Sequence, residues 1–500
     1  MKTLPKGGFA MLKDKNNQLS IYAILYNKIP ENHTLKLINE AVDFSFVTKL
    51  LEKSYNKYYP EMMVKLLVLQ YLYNLSDERV IEEASLNLAY MWFLGTNPDE
   101  ELPHPSLLAK FRVHKLKDVT LDEIIIEIVR QCIEKGIIKD TGISVDATHT
   151  EANTFQATPE RVMKRLAKKI FKTYEKESGK LPENIDKNIP EYKQIEDHKE
   201  AKRIMKDYLQ REIEKVEDIV NKEENPKTIT VLENAKEILS DPKFIEQKGV
   251  RSLVDQDARI GHKSKTDRFF GFKTEFVMTT DERIITAVTT NSGEYVDGTN
   301  FEELMELTKK TGLKIEEVFG DKAYFRKSIL DTINEMKAKA YIPVSESVYR
   351  IDEEKFSYNK DSDEWFCNEG NNTVKKKHIK RKDGKEIYRY YFEREKCRKC
   401  PKRAECNSGT TIARRLEIGI NTPEFYQYSQ EQKTDKFQEK YKKRACHEWK
   451  NGEMKNHHGL NRARGYGKRS ISTQAKLTAI AVNLKRIARI LSSKSPSFLD

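Results

Sequence analysis

The stretch Phe270-Gly271-Phe272-Lys273-Thr274-Glu275-Phe276-Val277-Met278 is followed, across Thr280-Asp281-Glu282, by Ile284-Ile285-Thr286-Ala287-Val288-Thr289. Both runs are rich in aromatic and β-branched residues, and a short polar turn separates them. That pattern predicts two strands of a hairpin. Beyond it the period changes. Asn300 or Thr299 is placed to cap a helix over residues 301–310. The run Ile315-Glu316-Glu317-Val318-Phe319-Gly320-Asp321 reads as a strand ending in an acid. A helix near residues 328–337 and a strand Ala340-Tyr341-Ile342-Pro343-Val344 follow.

A hairpin followed by helix–strand alternation fits an α/β fold with a mixed sheet of the RNase H type. Upstream, Gly142-Ile143-Ser144-Val145-Asp146-Ala147-Thr148 is another short β-type run, read as ending in an acid. A carboxylate at the end of a buried strand is unusual unless it is paired or binds metal.

A third acid stands near the end of the chain, in Tyr441-Lys442-Lys443-Arg444-Ala445-Cys446-His447-Glu448-Trp449-Lys450-Asn451-Gly452-Glu453-Met454-Lys455. The segment reads as one helix. Steps of three, four and seven residues return to one helix face, which would carry Tyr441, Arg444, Glu448, Gly452 and Lys455. Gly452, without a side chain, would let a phosphate backbone come close. The plainer reading of Glu448 among cations is a solvated ion-pair face. His457 and His458 do not share a helix face, and a phosphate-contacting or surface role suits them better than metal ligation.

Composition narrows the partners. The 500 residues are 38% hydrophobic and 34% charged, with formal net charge +12, mean hydropathy −0.73 and pI near 9.0. Such a chain holds several structural units, and its excess of cations favours a polyanion. The basic residues concentrate in 374–403 and 440–489. No run of about 18 apolar residues is present, which argues against a membrane span. The opening Met1-Lys2-Thr3-Leu4-Pro5-Lys6-Gly7-Gly8 leads into no apolar signal segment, so a cytoplasmic protein is expected.

Of six cysteines, Cys132 and Cys446 stand alone, while Cys367, Cys397, Cys400 and Cys406 form a group. A C-x2-C pair with two outlying thiols is enough for a closed structural Zn2+ site; four unconnected reduced thiols are the alternative.

The spacing Tyr441-x2-Arg444-x3-Glu448-x6-Lys455 resembles the signature around the third acid of DDE transposases of bacterial insertion sequences. Val145-Asp146-Ala147-Thr148 with Glu151-Ala152-Asn153 is similar to the first-acid segment, and Gly320-Asp321-Lys322-Ala323-Tyr324 to the second. The segments Val42-Asp43-Phe44-Ser45-Phe46, Leu69-Gln70-Tyr71-Leu72 and Leu75-Ser76-Asp77 look like the helical domain of one branch. Asp255-Gln256-Asp257-Ala258-Arg259, Thr478-Ala479-Ile480-Ala481-Val482-Asn483-Leu484-Lys485, and Cys400-Pro401 with Cys406 are similar to that branch too. The run Trp449-Lys450-Asn451-Gly452 departs from its more apolar pattern.

The resemblance implies a catalytic triad of Asp146, Asp321 and Glu448 holding two Mg2+ (or Mn2+) ions. It also implies double-stranded DNA as partner, both the element's terminal inverted repeats and the target, and a homodimer to bring two ends together. Water would attack the phosphodiester at each end, and the freed 3′ hydroxyl would attack target DNA. Tyr441, Arg444 and Lys455 are candidate DNA contacts. Lys110 and Arg112 join them, on a short helix after Pro105 that is compatible with a helix-turn-helix reader. A plain helical bundle with a basic rim is the alternative there.

The expected organisation is a helical, DNA-binding domain (1–138), a first catalytic strand (139–155), a charged helical arm in the form of a hairpin (156–250) and the RNase H-like core (251–351). A basic cysteine-bearing insertion (352–411) and the catalytic and closing helices (412–500) complete it. Lys375, Lys376, Lys377, Lys380, Arg381 and Lys382 of the insertion would lie beside the DNA path. Two other functions use the same features: an RNase H-like nuclease without strand transfer, and a non-catalytic DNA-binding protein derived from a transposase.

Overall fold

The computed structural model describes residues 21–51, 60–154, 156–241, 244, 252–263, 266–406 and 412–494. The opening Met1–Gly8 stretch lies outside the described residues, as does Pro242, which the sequence suggests, with Pro182, Pro190 and Pro226, as a break in the charged arm.

The central sheet contains β1 (Gly142–Glu151), β2 (Arg259–His262), β3 (Arg268–Thr279), β4 (Ile285–Ser292), β5 (Glu317–Phe319) and β6 (Lys339–Tyr341). β3 lies between β4 and β1 and is antiparallel to both, while β5 and β6 continue on the other side of β1 in parallel. The edge partner of β3 changes along its length. β4 pairs it from Phe272 onward, and β2 pairs it from Arg268 to Gly271. Close backbone approach makes this possible. A Cβ at Gly271 would lie 2.0 Å from the Thr150 carbonyl, and one at Gly293 would lie 2.4 Å from that of Arg259.

The helix Gly467–Lys494 is the axis of the molecule. The sequence suggests an amphipathic helix with Lys476, Lys485, Arg486 and Arg489 outside its stripe. In the structure every residue from Ile471 to Leu484 is buried, because the helix packs on β4 and also on α2 (Thr34–Ala41), α4 (Pro60–Leu72) and α8 (Asp118–Glu134). Lys476 is therefore a core residue. Its Nζ lies 2.8 Å from Asp122, an ion pair that offsets the desolvation of both charges.

The amino-terminal segment is helical, and its apolar side chains share one core with the sheet and the central helix. Ser76 caps α5 (Asp77–Leu86) by accepting from the Arg79 N–H at 3.1 Å. The pattern from Ser76 to Leu94 suggests one helix. It is two, because Asn87 interrupts it and accepts from the amides of Ala89 and Tyr90 at the start of α6 (Leu88–Leu94). Pro105 precedes α7 (Ser106–His114).

The charged arm is three helices, not a hairpin: α9 (Pro159–Ser178), α10 (His198–Glu217) and α11 (Pro226–Ser240). They enclose an apolar core of their own around Met163, Ile170, Tyr208, Leu209 and Leu232. Pro226, which the sequence suggests as a break, starts the third helix at a position needing no N–H donor.

The cysteine-bearing insertion is β-rich. β7 (Phe356–Asn359) pairs with β8 (Glu364–Cys367), and β9 (Thr373–Lys380), β10 (Glu386–Phe392) and β11 (Arg415–Gly419) form a second small sheet. Trp365, fully buried, packs against Tyr358, Tyr390 and Tyr426 at its centre. Among the described residues, no helix is long and apolar enough to cross a membrane.

Candidate active site

The parallel register of β1 with β5 pairs Ser144 with Phe319. Two residues further along the chain from each lie Asp146 and Asp321, so equal steps carry the two acids in the same direction on neighbouring strands. Asp146 is in the middle of β1 and not at its tip as the sequence suggests, because β1 runs on to Glu151 in its pairing with β3, whereas Asp321 stands just past the end of β5. Asp146 Oδ1 accepts from the Ala147 N–H at 2.9 Å. Asp321 caps a short 3-10 turn, Lys322–Tyr324, by accepting from the Ala323 N–H at 2.8 Å.

The Tyr441–Lys455 segment is not one regular helix. A helix Asp435–Tyr441 passes through a 3-10 turn, Lys442–Ala445, into a second helix Cys446–Asn456. His447, fully buried, fixes this second helix on the sheet. Its ring lies 4.9 Å from that of Phe276, the residue paired with Asp146 across β1 and β3. Burial lowers the His447 pKa to about 3, so the ring is neutral. Glu448, next in sequence, is exposed.

Arg444 joins these elements. Its Nη2 lies 3.6 Å from Asp146 Oδ2, and its charge is felt by Asp146 and by Tyr441. Burial pushes the Asp146 carboxyl up to about 6; Arg444 opposes this, while Asp321 and Asp297 add to it. Asp297 is thus a fourth acid near the site, and Lys273 holds it at 2.9 Å. Among the described residues, no group of three or more His, Cys, Asp or Glu side chains is gathered to hold a metal ion.

The other candidate residues separate by role. Tyr441 belongs to an aromatic series. Phe319 stacks on Tyr341, Tyr341 packs on Phe437, and Phe437 stacks on Tyr441, with centroids 4.9, 5.4 and 6.0 Å apart. Its ring therefore holds the helix against the β5–β6 edge. A Cβ at Gly452 would meet nothing within 4 Å, so no neighbour in the chain demands glycine. Lys455 Nζ lies 3.0 Å from His149 Nδ1. Burial, with Lys263 nearby, lowers the Lys455 pKa to about 8. Burial and Lys455 lower that of His149 to about 4, leaving it an acceptor.

His458, expected at the surface or on a phosphate, is a core residue, with Nδ1 2.8 Å from the Tyr71 carbonyl oxygen. Arg112 is bidentate to Asp77, at 2.8 and 2.6 Å, and also reaches Gln70 at 3.0 Å. Lys110 on the same helix is exposed.

Sequence reasoning passed over Glu275. Its carboxylate, buried on β3, accepts from the hydroxyls of Tyr324 and Tyr295 at 2.8 Å each and from the Gly298 N–H. Burial raises its pKa against those hydrogen bonds. Tyr324 is the last residue of the turn that Asp321 caps, so this network fixes the second acid's loop. A carboxylate inside an otherwise apolar strand was the available signal.

The four grouped cysteines line one cavity of about 590 Å3. Cys367 ends β8, Cys397 lies on the helix Arg394–Lys399, Cys400 follows it, and Cys406 ends the helix Arg403–Cys406. Asn371 Nδ2 donates to Cys397 Sγ at 3.0 Å. Burial pushes the Cys406 thiol up, with the other three cysteines adding to it.

The strand order, with one acid on β1 and the next just past the neighbouring β5, is consistent with the RNase H-like class of α/β domains. Residues 23–114 match the family described as Transposase domain (DUF772), and residues 366–488 match a Transposase DDE domain. Together they support a DDE-type transposase of an insertion sequence. No curated protein and no solved structure matches it. Glu448 and the four cysteines fall inside the second match, whereas Asp146 and Asp321 lie between the two. Transposases of this kind bind DNA and usually use a divalent metal.

Proposed function

We propose that the protein cleaves DNA at the terminal inverted repeats of its element and joins the 3′ ends to target DNA, with Asp146, Asp321 and Glu448 as its acids. The observation that supports this reading is the β1–β5 register, which carries Asp146 and Asp321 in the same direction on neighbouring strands, with Arg444 3.6 Å from Asp146. Three hard carboxylate oxygens suit Mg2+ or Mn2+. Burial raises the Asp146 pKa, and Asp321 and Asp297 add to it, so a cation bound there would favour the ionised carboxylate; the donor set fits even though the side chains are not gathered around an ion. A divalent metal held by Asp146, Asp321 and Glu448 would supply charge to stabilise the developing oxyanions.

The chain's own residues orient the substrate. Arg444 and Lys455 hold phosphates on either side of the reacting one. Three strand residues from Asp146 to His149 rise about 10 Å, and seven helix residues from Glu448 to Lys455 rise about 10.5 Å. Lys455 therefore stands roughly 10 Å along from the acids. In the first step a water oxygen bonds to phosphorus as the bond to the 3′ oxygen breaks; water's proton is lost and the 3′ oxygen gains one. In the second, the 3′ hydroxyl oxygen bonds to a target phosphorus with loss of its proton, and the target's own 3′ oxygen leaves and is protonated. Both are in-line displacements, so one site serves both. Two ends have to meet, which favours a homodimer on DNA.

The test is joining of a labelled element-end oligonucleotide to plasmid DNA, with Mg2+ and with chelator, by wild type and by Glu448→Gln. Metal-dependent joining that disappears in the variant is expected. Cleavage without joining would assign a nuclease, and equal joining by both proteins would remove Glu448 from the site.

A further inference from the structure

Trp449 follows Glu448 in the chain and is 65% exposed. It lies at the edge of a cleft of about 810 Å3 between the helix Cys446–Asn456, the central helix and the start of α2. Consecutive helix residues point about 100° apart. The cleft therefore opens to one side of the face that carries Glu448.

Its charge is one-sided. Arg283, Lys450, Lys485, Arg486 and Arg489 line it, against the single carboxylate of Glu453. That carboxylate is shared, lying 3.0 Å from Lys450 and 3.1 Å from Lys485. The arginines crowd one another: burial lowers the Arg486 pKa, and Arg283 and Arg489 lower it further. Arg283 is held over the Trp449 ring, its guanidinium carbon 4.5 Å from the centroid. Its backbone is left-handed, at φ 61°, a conformation L residues rarely adopt. Five cations around one shared carboxylate leave the concave surface with an excess of positive charge.

We infer that this cleft binds an unpaired stretch of DNA, with a base stacked on Trp449 and phosphates neutralised by Arg283, Lys485 and Arg489. A single strand offers both a phosphate chain for the cations and bases with free faces for the ring, whereas the bases of a duplex are already stacked on one another. Cations lining a groove with an exposed aromatic ring are the general means of holding such a strand. The inference rests on the transposase reading for the source of the strand, which would be DNA opened beside the cleaved end.

Tryptophan fluorescence tests it with the full-length protein and a ten-nucleotide oligothymidine. Trp365 is fully buried and Trp92 partly so, so quenching reports chiefly on Trp449. Saturable quenching is expected in wild type and its loss in Trp449→Phe. In Trp449→Ala, affinity measured by anisotropy should fall about ten-fold. Arg489→Glu should weaken binding and flatten its salt dependence. Blunt duplex should bind Trp449→Ala as it binds wild type. Unchanged single-strand affinity in Trp449→Ala would overturn the inference, as would equal losses for single strand and duplex. Joining by a wild-type protein that shows no quenching would also overturn it while leaving the transposase reading in place. Quenching without joining would support the cleft and count against that reading.

Discussion

Arg444 Nη2 lies 3.6 Å from Asp146 Oδ2, and among the described residues no salt bridge joins Arg444 to Glu448. The arginine of the carboxy-terminal signature is directed across the structure at the first acid, not along its own helix at the third. Removing it strips a partly buried carboxylate of its nearest cation. Arg444→Ala should lower stability by on the order of 1 kcal/mol, read by denaturant titration. It should lower joining about a hundred-fold, with Arg444→Lys recovering part. Wild-type joining by Arg444→Ala would refute a role at Asp146.

Glu275 holds the loop of the second acid through Tyr324. Tyr324→Phe keeps the ring and removes one donor to a buried carboxylate, which should cost about 1–3 kcal/mol. Joining should drop with no change in DNA affinity, because Glu275 touches no DNA in the proposed site. A stability loss with full joining would make the network purely structural.

Lys455 is held at a pKa of about 8 by burial and the neighbouring Lys263. The protonated form binds phosphate, so affinity for element-end DNA should fall as pH rises above about 8. The slope should approach one decade per pH unit and end where the DNA-bound lysine itself loses its proton. Arg at the position stays charged, so Lys455→Arg should have no such slope. Identical pH profiles for the two proteins would remove Lys455 from the DNA contact.

Lys110 and Arg112 share a helix but not an environment. Arg112 is spent on Asp77 and Gln70, so Arg112→Ala should destabilise the fold by roughly 1–3 kcal/mol. Burial alone would raise the Asp77 pKa, yet hydrogen bonds from Arg112 and Gln70 hold it below its ordinary value. Its contribution to stability is thus present at neutral pH and is lost as pH falls through that lowered pKa. Lys110→Ala should leave stability unchanged and reduce the salt slope of DNA binding by about one. The reverse pattern in the two variants would exchange their roles.

We propose that Cys367, Cys397, Cys400 and Cys406 hold structural zinc, since all four thiols line one cavity. Zinc analysis of purified protein should give one equivalent. Cys397→Ser with Cys400→Ser should lose it and lower the Tm. Metal-free wild type with an unchanged Tm would show four ordinary thiols.

Much of the fold was legible in local pattern. The alternation from Phe270 to Thr289, the turn between the two runs and the 301–310 helix appear close to where they were expected, because each depends on neighbours in sequence. Differences arise from two causes. One is local: Asn87 splits one expected helix by capping its second half. The other is a distant element: Lys476, outside the single stripe that the sequence suggests, is covered by α8, and His458 bonds to Tyr71, 387 residues away.

The sequence by itself determined the acids' local settings: Asp146 on a β-type run, Asp321 after another, and Glu448 amid cations at helical spacing. These are matters of period and residue type. Only the tertiary structure decided which residues meet. Strand register set Asp146 beside Asp321, helix docking through His447 brought Arg444 to Asp146, and chain reversal put His149 against Lys455. Register and docking are set by side-chain packing over long sequence separations, to which local periodicity is blind. The crowding of cations beside Trp449 arises in the same way, from three segments that nothing in their spacing connects.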